Sequence, residues 1–219
     1  MTTASIVVVN TNPNASTRKG TRALVRRVQR LVPRSVGVVE RHFQRLSTAD
    51  MQALSPRAVV LGPQGVPFQS YDPTALQQLY SLIRALRCPL LGVCGGHQAL
   101  TLAYGGQIAP IHGETLPANG QYGGLKKMNG LQPMVRMDCS PDVILDSIPS
   151  PSTFFSSHVE AISKLPAGFS TMMMGPHDTI QMVRRDEYPQ YGVQFHPERG
   201  GDGHQLLRNF LALAGVDSP

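Results

Sequence analysis

The chain has 219 residues, 41% of them hydrophobic and 16% charged, enough apolar matter for a packed core, which excludes wholesale disorder. Its longest apolar runs, such as Ile6–Val9, fall far short of the ~18–20 residues a membrane span needs, and no basic-then-apolar leader is evident at the N-terminus. Formal charge is +6, yet residues 1–45 hold nine Lys and Arg against one acid, Glu40, and the remainder holds eleven against thirteen, so the basicity is local and the chain as a whole is not patterned for nucleic acid.

Ile6–Val9 reads as a first strand and Asn10–Thr17 as a loop. Ser16 or Thr17 is placed to cap a helix running to about Leu31, where Pro33 closes it. Ser35–Val39 and Arg57–Leu61 read as strands, and Leu76, Leu79, Leu82, Ile83 and Leu86 give Pro73–Leu86 helical periodicity. Pro89–Val93 is a compact apolar run, expected as a fully buried strand. Gly96–Ala103 follows as a helix ended by Gly105-Gly106. Strands alternating with helices imply parallel β-α-β units. The fold class expected is α/β, a doubly wound, mostly parallel sheet with helices on both faces. After Gly106 the texture changes to short strand candidates at Gln107–Ile111, Met134–Met137, Thr153–Phe155, Ser170–Met174, Thr179–Arg184 and Tyr191–Phe195. These are expected as an added antiparallel portion, and His204–Leu213 as a last helix. No repeat or linker divides the chain, so residues 1–219 read as one domain.

Chemistry concentrates at Gly92-Val93-Cys94-Gly95-Gly96-His97-Gln98. Gly-x-Cys-x-Gly after a buried strand and before a helix is the cysteine form of the nucleophile elbow. A sharp strand-to-helix turn exposes the nucleophile, flanking glycines admit close backbone, and a helix N-terminus offers free N–H groups that favour a thiolate and bind an oxyanion. Cys88 and Cys139 lack such surroundings and read as bystanders. Three cysteines are too few for a disulfide framework and fit a reducing, cytoplasmic compartment. A cysteine nucleophile needs a base, and the base an orienting group. Gln194-Phe195-His196-Pro197-Glu198 supplies both at the end of a predicted strand, where open α/β sheets place their sites. His97 follows the elbow but, on the helix, is expected to point away from its apex. His42, His112, His177 and His204 have no comparable context. No Cys/His spacing fits a zinc site, and no cofactor is expected.

The elbow, followed about a hundred residues later by Gly-Val-Gln-Phe-His-Pro-Glu, resembles class I (triad-type) glutamine amidotransferase domains, which are flavodoxin-like α/β folds. The resemblance runs from about Ile6 to Leu213. It implies a Cys94–His196–Glu198 triad that hydrolyses the side-chain amide of glutamine through a cysteine thioester and releases ammonia. It implies an oxyanion hole from the Gly95 N–H and the loop Leu61-Gly62-Pro63-Gln64-Gly65, with Gly62 at the position of the family's second glycine. It further implies Gln98, Ser157 and His158 as substrate-binding residues, with Glu160 where an acid is often found. Leu61, Gly95 and Arg199 depart from the family pattern, and Val9-Asn10-Thr11-Asn12-Pro13 does not match an anthranilate-type signature.

Arg18, Arg22, Arg26 and Arg30 recur at helical spacing, with Lys19 and Arg27 nearby. Such a ridge costs only a few tenths of a kcal/mol per like-charge pair, so it reads either as a solvated face or as a docking face for an acidic partner subunit or anionic ligand. Two activities use the same triad: a glutaminase subunit delivering ammonia to a synthase in trans, and a stand-alone hydrolase of γ-glutamyl amides or peptides. A non-catalytic relative is disfavoured by the intact triad.

Overall fold

A computed structural model describes residues 5–118, 121–138 and 141–216. Strands are β1 (Ser5–Asn10), β2 (Gly37–His42), β3 (Ala58–Leu61), β4 (Leu90–Val93), β5 (Gln107–Pro110), β6 (Met128–Arg136), β7 (Ser152–His158), β8 (Glu160–Lys164), β9 (Phe169–Gly175), β10 (Thr179–Arg185) and β11 (Gln190–Val193). Helices are α1 (Lys19–Gln29), α2 (Thr48–Leu54), α3 (Pro73–Ala85), α4 (Gly95–Ala103) and α5 (Gly203–Leu213). The strands form one mixed sheet in the order β2-β1-β3-β4-β11-β10-β9-β6-β7, with β8 pairing β10 and β5. The pairs from β2 through β11 are parallel, and those from β11 outward are antiparallel. The α/β class and the antiparallel addition are as expected.

The central parallel strands β1, β3, β4 and β11 are buried, whereas the edge strand β2, with its charged end, is half-exposed; β1, β3 and β4 are compact apolar runs of the kind that sit covered on both faces. Ile6 and Val8 of β1 pack with Leu24 and Val28 of α1 and Leu206 and Phe210 of α5. Val7 and Val9 pack on the opposite face with Leu79 and Ile83 of α3 and Ala99 and Leu100 of α4. A doubly wound sheet follows from this alternation.

Several expected boundaries moved. Helix α1 is capped by neither Ser16 nor Thr17: its N-cap is Arg18, whose side chain makes no capping bond. The Ser16 N–H and hydroxyl both donate to Asn14 Oδ1, and Asn10 Nδ2 donates to the Thr17 carbonyl, so these residues belong to a turn of the loop that ends before the helix begins. Strand β2 is Gly37–His42 rather than Ser35–Val39, because its register with β1 runs from Ser5↔Gly37 to Asn10↔His42. Helix α2 was not anticipated, although Ser47 and Asp50 form a capping box. Strand β6 begins at Met128, ahead of Gly130 and Pro133, and β8 was also missed.

Phe195 is fully buried and stacks on Phe154 of β7 with ring centroids 3.9 Å apart. The stack ties the segment after β11 to the antiparallel portion. Phe195→Ala is expected to destabilise the protein by about 3–5 kcal/mol, read as a lower denaturant midpoint, with Phe195→Leu losing less.

Candidate functional site

The site forms at the C-terminal ends of β4 and β11, which are parallel neighbours with Val93 opposite Val193. Cys94 follows β4 with φ 52° and ψ −104°, a backbone conformation a non-glycine residue adopts only when its surroundings enforce it. The Cys94 N–H is fixed to Val193 O at 2.8 Å. The glycines serve close approach: a β-carbon on Gly92 would stand 2.8 Å from His97 N, and one on Gly96 would collide with Leu61 O. One on Gly95 would collide with Gln64 Cγ and lie 2.7 Å from Gln64 N. The departure from a bulky residue at position 95 is therefore matched by the seat of Gln64.

His196 and Glu198 follow β11 through a short 3-10 turn, Pro197–Arg199. His196 Nδ1 lies 3.0 Å from Glu198 Oε1; the pair is buried. The His196 N–H is tied to Phe155 O at 2.7 Å, and Nε2 has no hydrogen-bond partner. Burial alone would lower the imidazole pKa, but the Cys94 sulfur and the Glu198 carboxylate outweigh it and raise the ring to about 10. Cys94 and His196 both line a cavity of about 480 Å³, together with Gln98, Ser157 and His158. This volume lies within the range of small-molecule sites, ~300–1,000 Å³.

Gln98 is buried, and its amide is internally engaged. Nε2 donates to Glu160 O at 2.9 Å and to Gln194 Oε1 at 3.1 Å, and Oε1 accepts from Gln64 Nε2 at 3.4 Å. Gln194 in turn reaches Cys94 Sγ at 3.7 Å. Burial, with His196 and His97 nearby, holds the His158 imidazole neutral, its pKa pushed down to about 3. Burial raises the Glu160 carboxyl, against the opposing bond from Tyr122, whose hydroxyl donates to Oε2 at 2.7 Å.

The loop after β3 differs from expectation in its donor. The Gly62 N–H, expected in the oxyanion hole, is donated to Val9 O at 2.8 Å as a continuation of the β1–β3 ladder. Pro63, Gln64 and Gly65 line the cavity, and Gln64 N is the loop amide seated against Gly95. Sequence reasoning also passed over Asn12, Tyr122, Lys19 and Lys127 among the lining residues. Tyr122 and Lys127 belong to irregular or edge segments without a motif, and Asn12 stood in plain view as part of an Asn-Thr-Asn run.

The other titratable candidates lie elsewhere. His97 is buried against Gly192 of β11 and does not line the cavity. His42 Nε2 donates to Asn12 O, 2.8 Å away. His112 and His177 pack edge to face. Cys88 is half-buried, and burial raises its thiol; Cys139 lies outside the described residues. Arg18 makes a two-pronged bond to Glu40 at 2.6 and 2.7 Å, which takes it out of the free ridge, whereas Arg22, Arg26 and Arg30 are exposed.

The His196 shift has a stability consequence. A histidine whose folded value lies above its free value, about 6.5, stabilises the fold fully below that pH and progressively less as pH rises toward about 10. Cys94→Ala, which removes the larger raising influence, and Glu198→Gln, which removes the smaller, are each expected to flatten the loss of thermal midpoint across that window; an unchanged pH profile in both would show that these neighbours do not set the ring's charge.

The glutamine amidotransferase class-I family matches residues 19–214. Among characterised relatives, the chain is 31% identical over 146 residues to the glutamine-hydrolyzing GMP synthase subunit of Archaeoglobus fulgidus, covering 66% of this chain and 70% of that one. It is 32% identical over 182 residues to aminodeoxychorismate synthase component 2 of Escherichia coli, covering 80% and 86%. Among solved structures, a glutamine amidotransferase from Thermotoga maritima superposes with a TM-score of 0.65 at 14% identity, covering 96% of this chain and 81% of that one. A Thermoplasma acidophilum protein described as a GMP synthase subunit gives 0.73 at 20% identity, covering 97% and 94%; these two likenesses speak to the fold. Strand–elbow–helix geometry, the buried His-Pro-Glu pair on the neighbouring strand and the extent of the family match place this chain in the class I glutamine amidotransferase family.

Proposed function

We propose that the protein is a glutaminase: it hydrolyses the side-chain amide of glutamine and hands the ammonia to a synthase subunit in trans. The observation that carries the reading is the convergence, on adjacent parallel strands, of Cys94 at a left-handed elbow and a His196–Glu198 pair whose free Nε2 belongs to the same cavity. In the proposed reaction Cys94 Sγ attacks the carboxamide carbon. The oxyanion is held by the N–H groups of Gly95, next to the nucleophile, and of Gln64, whose nitrogen lies 2.7 Å from where a β-carbon on Gly95 would stand. Protonated His196 gives its proton to the departing nitrogen, so the C–N bond breaks and a γ-glutamyl thioester remains. Water then attacks the thioester with His196 as base, releasing glutamate and the thiol. Glu198 holds the ring by Nδ1 throughout, and Gln194 steadies the sulfur. The α-amino acid end of the substrate lies toward Ser157 and neutral His158, with Gln98 bracing the wall between them and the nucleophile.

Relatives named as a subunit or component of a synthase support an ammonia acceptor on another chain. Exposed Arg22, Arg26 and Arg30 are the face we assign to an acidic surface of that partner. A cytoplasmic location and a single domain complete the reading; the joining of the elbow and the His-Pro-Glu segment in one sheet supports the latter.

Ammonia release from free glutamine, with γ-glutamyl peptides assayed in parallel, tests the proposal. Cys94→Ala is expected to abolish release from glutamine while the protein remains folded by circular dichroism. Undiminished release by Cys94→Ala, or turnover of γ-glutamyl peptides in preference to glutamine, would overturn it.

A further inference from the structure

We infer that Asn12, in the loop after β1, is a positioning residue for this reaction: its side-chain amide sets the orientation of the Pro63–Gln64 peptide so that the Gln64 N–H faces the elbow. The inference rests on the glutaminase reading and extends it to a residue that touches neither nucleophile nor base in the proposed chemistry.

Asn12 is 5% exposed, and its amide is fully used. Nδ2 donates to Asn10 Oδ1 at 2.8 Å and to Pro63 O at 3.2 Å, and Oδ1 accepts from the Gly65 N–H at 3.2 Å. Turning the amide over would face its oxygen to two acceptors and its nitrogen to a donor, so the surroundings admit one orientation. The side chain thus grips the loop on both sides of Gln64. Asn12 is itself anchored, since its N–H donates to Asn10 Oδ1 at 3.1 Å and its carbonyl pairs with His42 Nε2 at 2.8 Å. Thr11 holds the preceding peptide through its hydroxyl to Gly62 O at 2.8 Å.

A trans peptide points its C=O and N–H in opposite directions. With Pro63 O held toward Asn12, the Gln64 N–H is turned to the other side, where Gly95 lies: a β-carbon there would stand 2.7 Å from Gln64 N. The segment Gly62–Gly65 belongs to no helix or strand, and its own ladder bond ends at Gly62 N. Rotating the Pro63–Gln64 peptide by half a turn would aim a carbonyl oxygen at the developing oxyanion and the N–H away from it. The Gln64 side chain is tied to Val66 N–H at 2.8 Å and to Gln98 Oε1 at 3.4 Å, but the backbone of this peptide is gripped from outside the loop by Asn12, which bonds the carbonyl before Gln64 and the N–H after it. An oxyanion donor accelerates the reaction only when it is already oriented as charge develops, so a residue in the first loop governs turnover through a peptide it does not belong to.

The test uses the full chain with Asn12→Ala, which removes both bonds, and Asn12→Asp, which keeps an acceptor for Gly65 and sets an oxygen against Pro63 O. Glutamine turnover is read as kcat and KM. Inhibition by glutamate γ-semialdehyde reports the oxyanion site, because its hemithioacetal oxygen occupies that position, and alkylation of Cys94 by iodoacetamide reports a step that needs no oxyanion donor. In both variants kcat is expected to fall about 10²–10³-fold, the loss typical of one oxyanion donor, with semialdehyde affinity falling in parallel and with KM and alkylation rate little changed. Parent-like kcat in both variants overturns the proposal alone. So does a loss shared equally by kcat, KM and alkylation, which marks collapse of the loop. A parent protein that releases no ammonia from glutamine, yet is alkylated at Cys94, overturns the glutaminase reading itself.

Discussion

The backbone of Cys94 is the constraint on which the rest of the site depends. A cysteine at φ 52° sits in a region that costs on the order of 1–3 kcal/mol to occupy, and it stays there because its neighbours leave no alternative. Its N–H is bonded to the adjacent strand, and the helix starting at Gly95 takes up its carbonyl through Gln98 N at 3.1 Å. The glycines at 92, 95 and 96 are then required by crowding. Helix α4 must approach Leu61 at the end of β3, and the loop after β3 must approach Gly95. One strained residue thereby draws three strands and a loop to the same point.

Topology explains how residues a hundred positions apart share a site. Strands β4 and β11 are parallel neighbours in register, so the residues immediately after them emerge side by side on the edge of the sheet where open α/β folds bind ligands. The intervening chain is spent on the antiparallel portion, which returns Ser157 and His158 of β7 to the same cavity. The loop after β1 closes it from the far side through Asn12. The stack of Phe195 on Phe154 joins the two halves directly behind His196, so core packing and placement of the base are one arrangement.

The elbow and the His-Pro-Glu pair were legible because each carries its own local signature: glycine spacing about a cysteine after an apolar run, and a stiff turn bearing a base and an acid. Strands β1, β3 and β4 were legible for a similar reason, being compact apolar runs. What was not legible depends on long-range partners. Strand β8 carries a charged residue at each end and is ordered by pairing with β5 and β10. The start of α1 lies later than Ser16 or Thr17 because Ser16 belongs to a turn closed on Asn14 and Thr17 is held through its carbonyl by Asn10, an arrangement that only the folded loop shows. Gly62 was the expected donor because it stands at the family's second glycine; the parallel ladder uses its N–H, and the loop nitrogen seated against Gly95 is that of Gln64, two residues on. Gln194 lay within a recognised motif, yet its contact with Cys94 exists only because β4 and β11 are adjacent.

Everything proposed for this site turns on Cys94 forming a covalent γ-glutamyl intermediate. Mass spectrometry of the parent protein, quenched in acid during steady-state turnover of glutamine, detects that species itself. A γ-glutamyl adduct is expected on the peptide that contains Cys94 and nowhere else, and is expected to be absent from Cys94→Ala. Ammonia release continuing with no adduct on Cys94, or an adduct on Cys88 instead, would contradict the proposed chemistry.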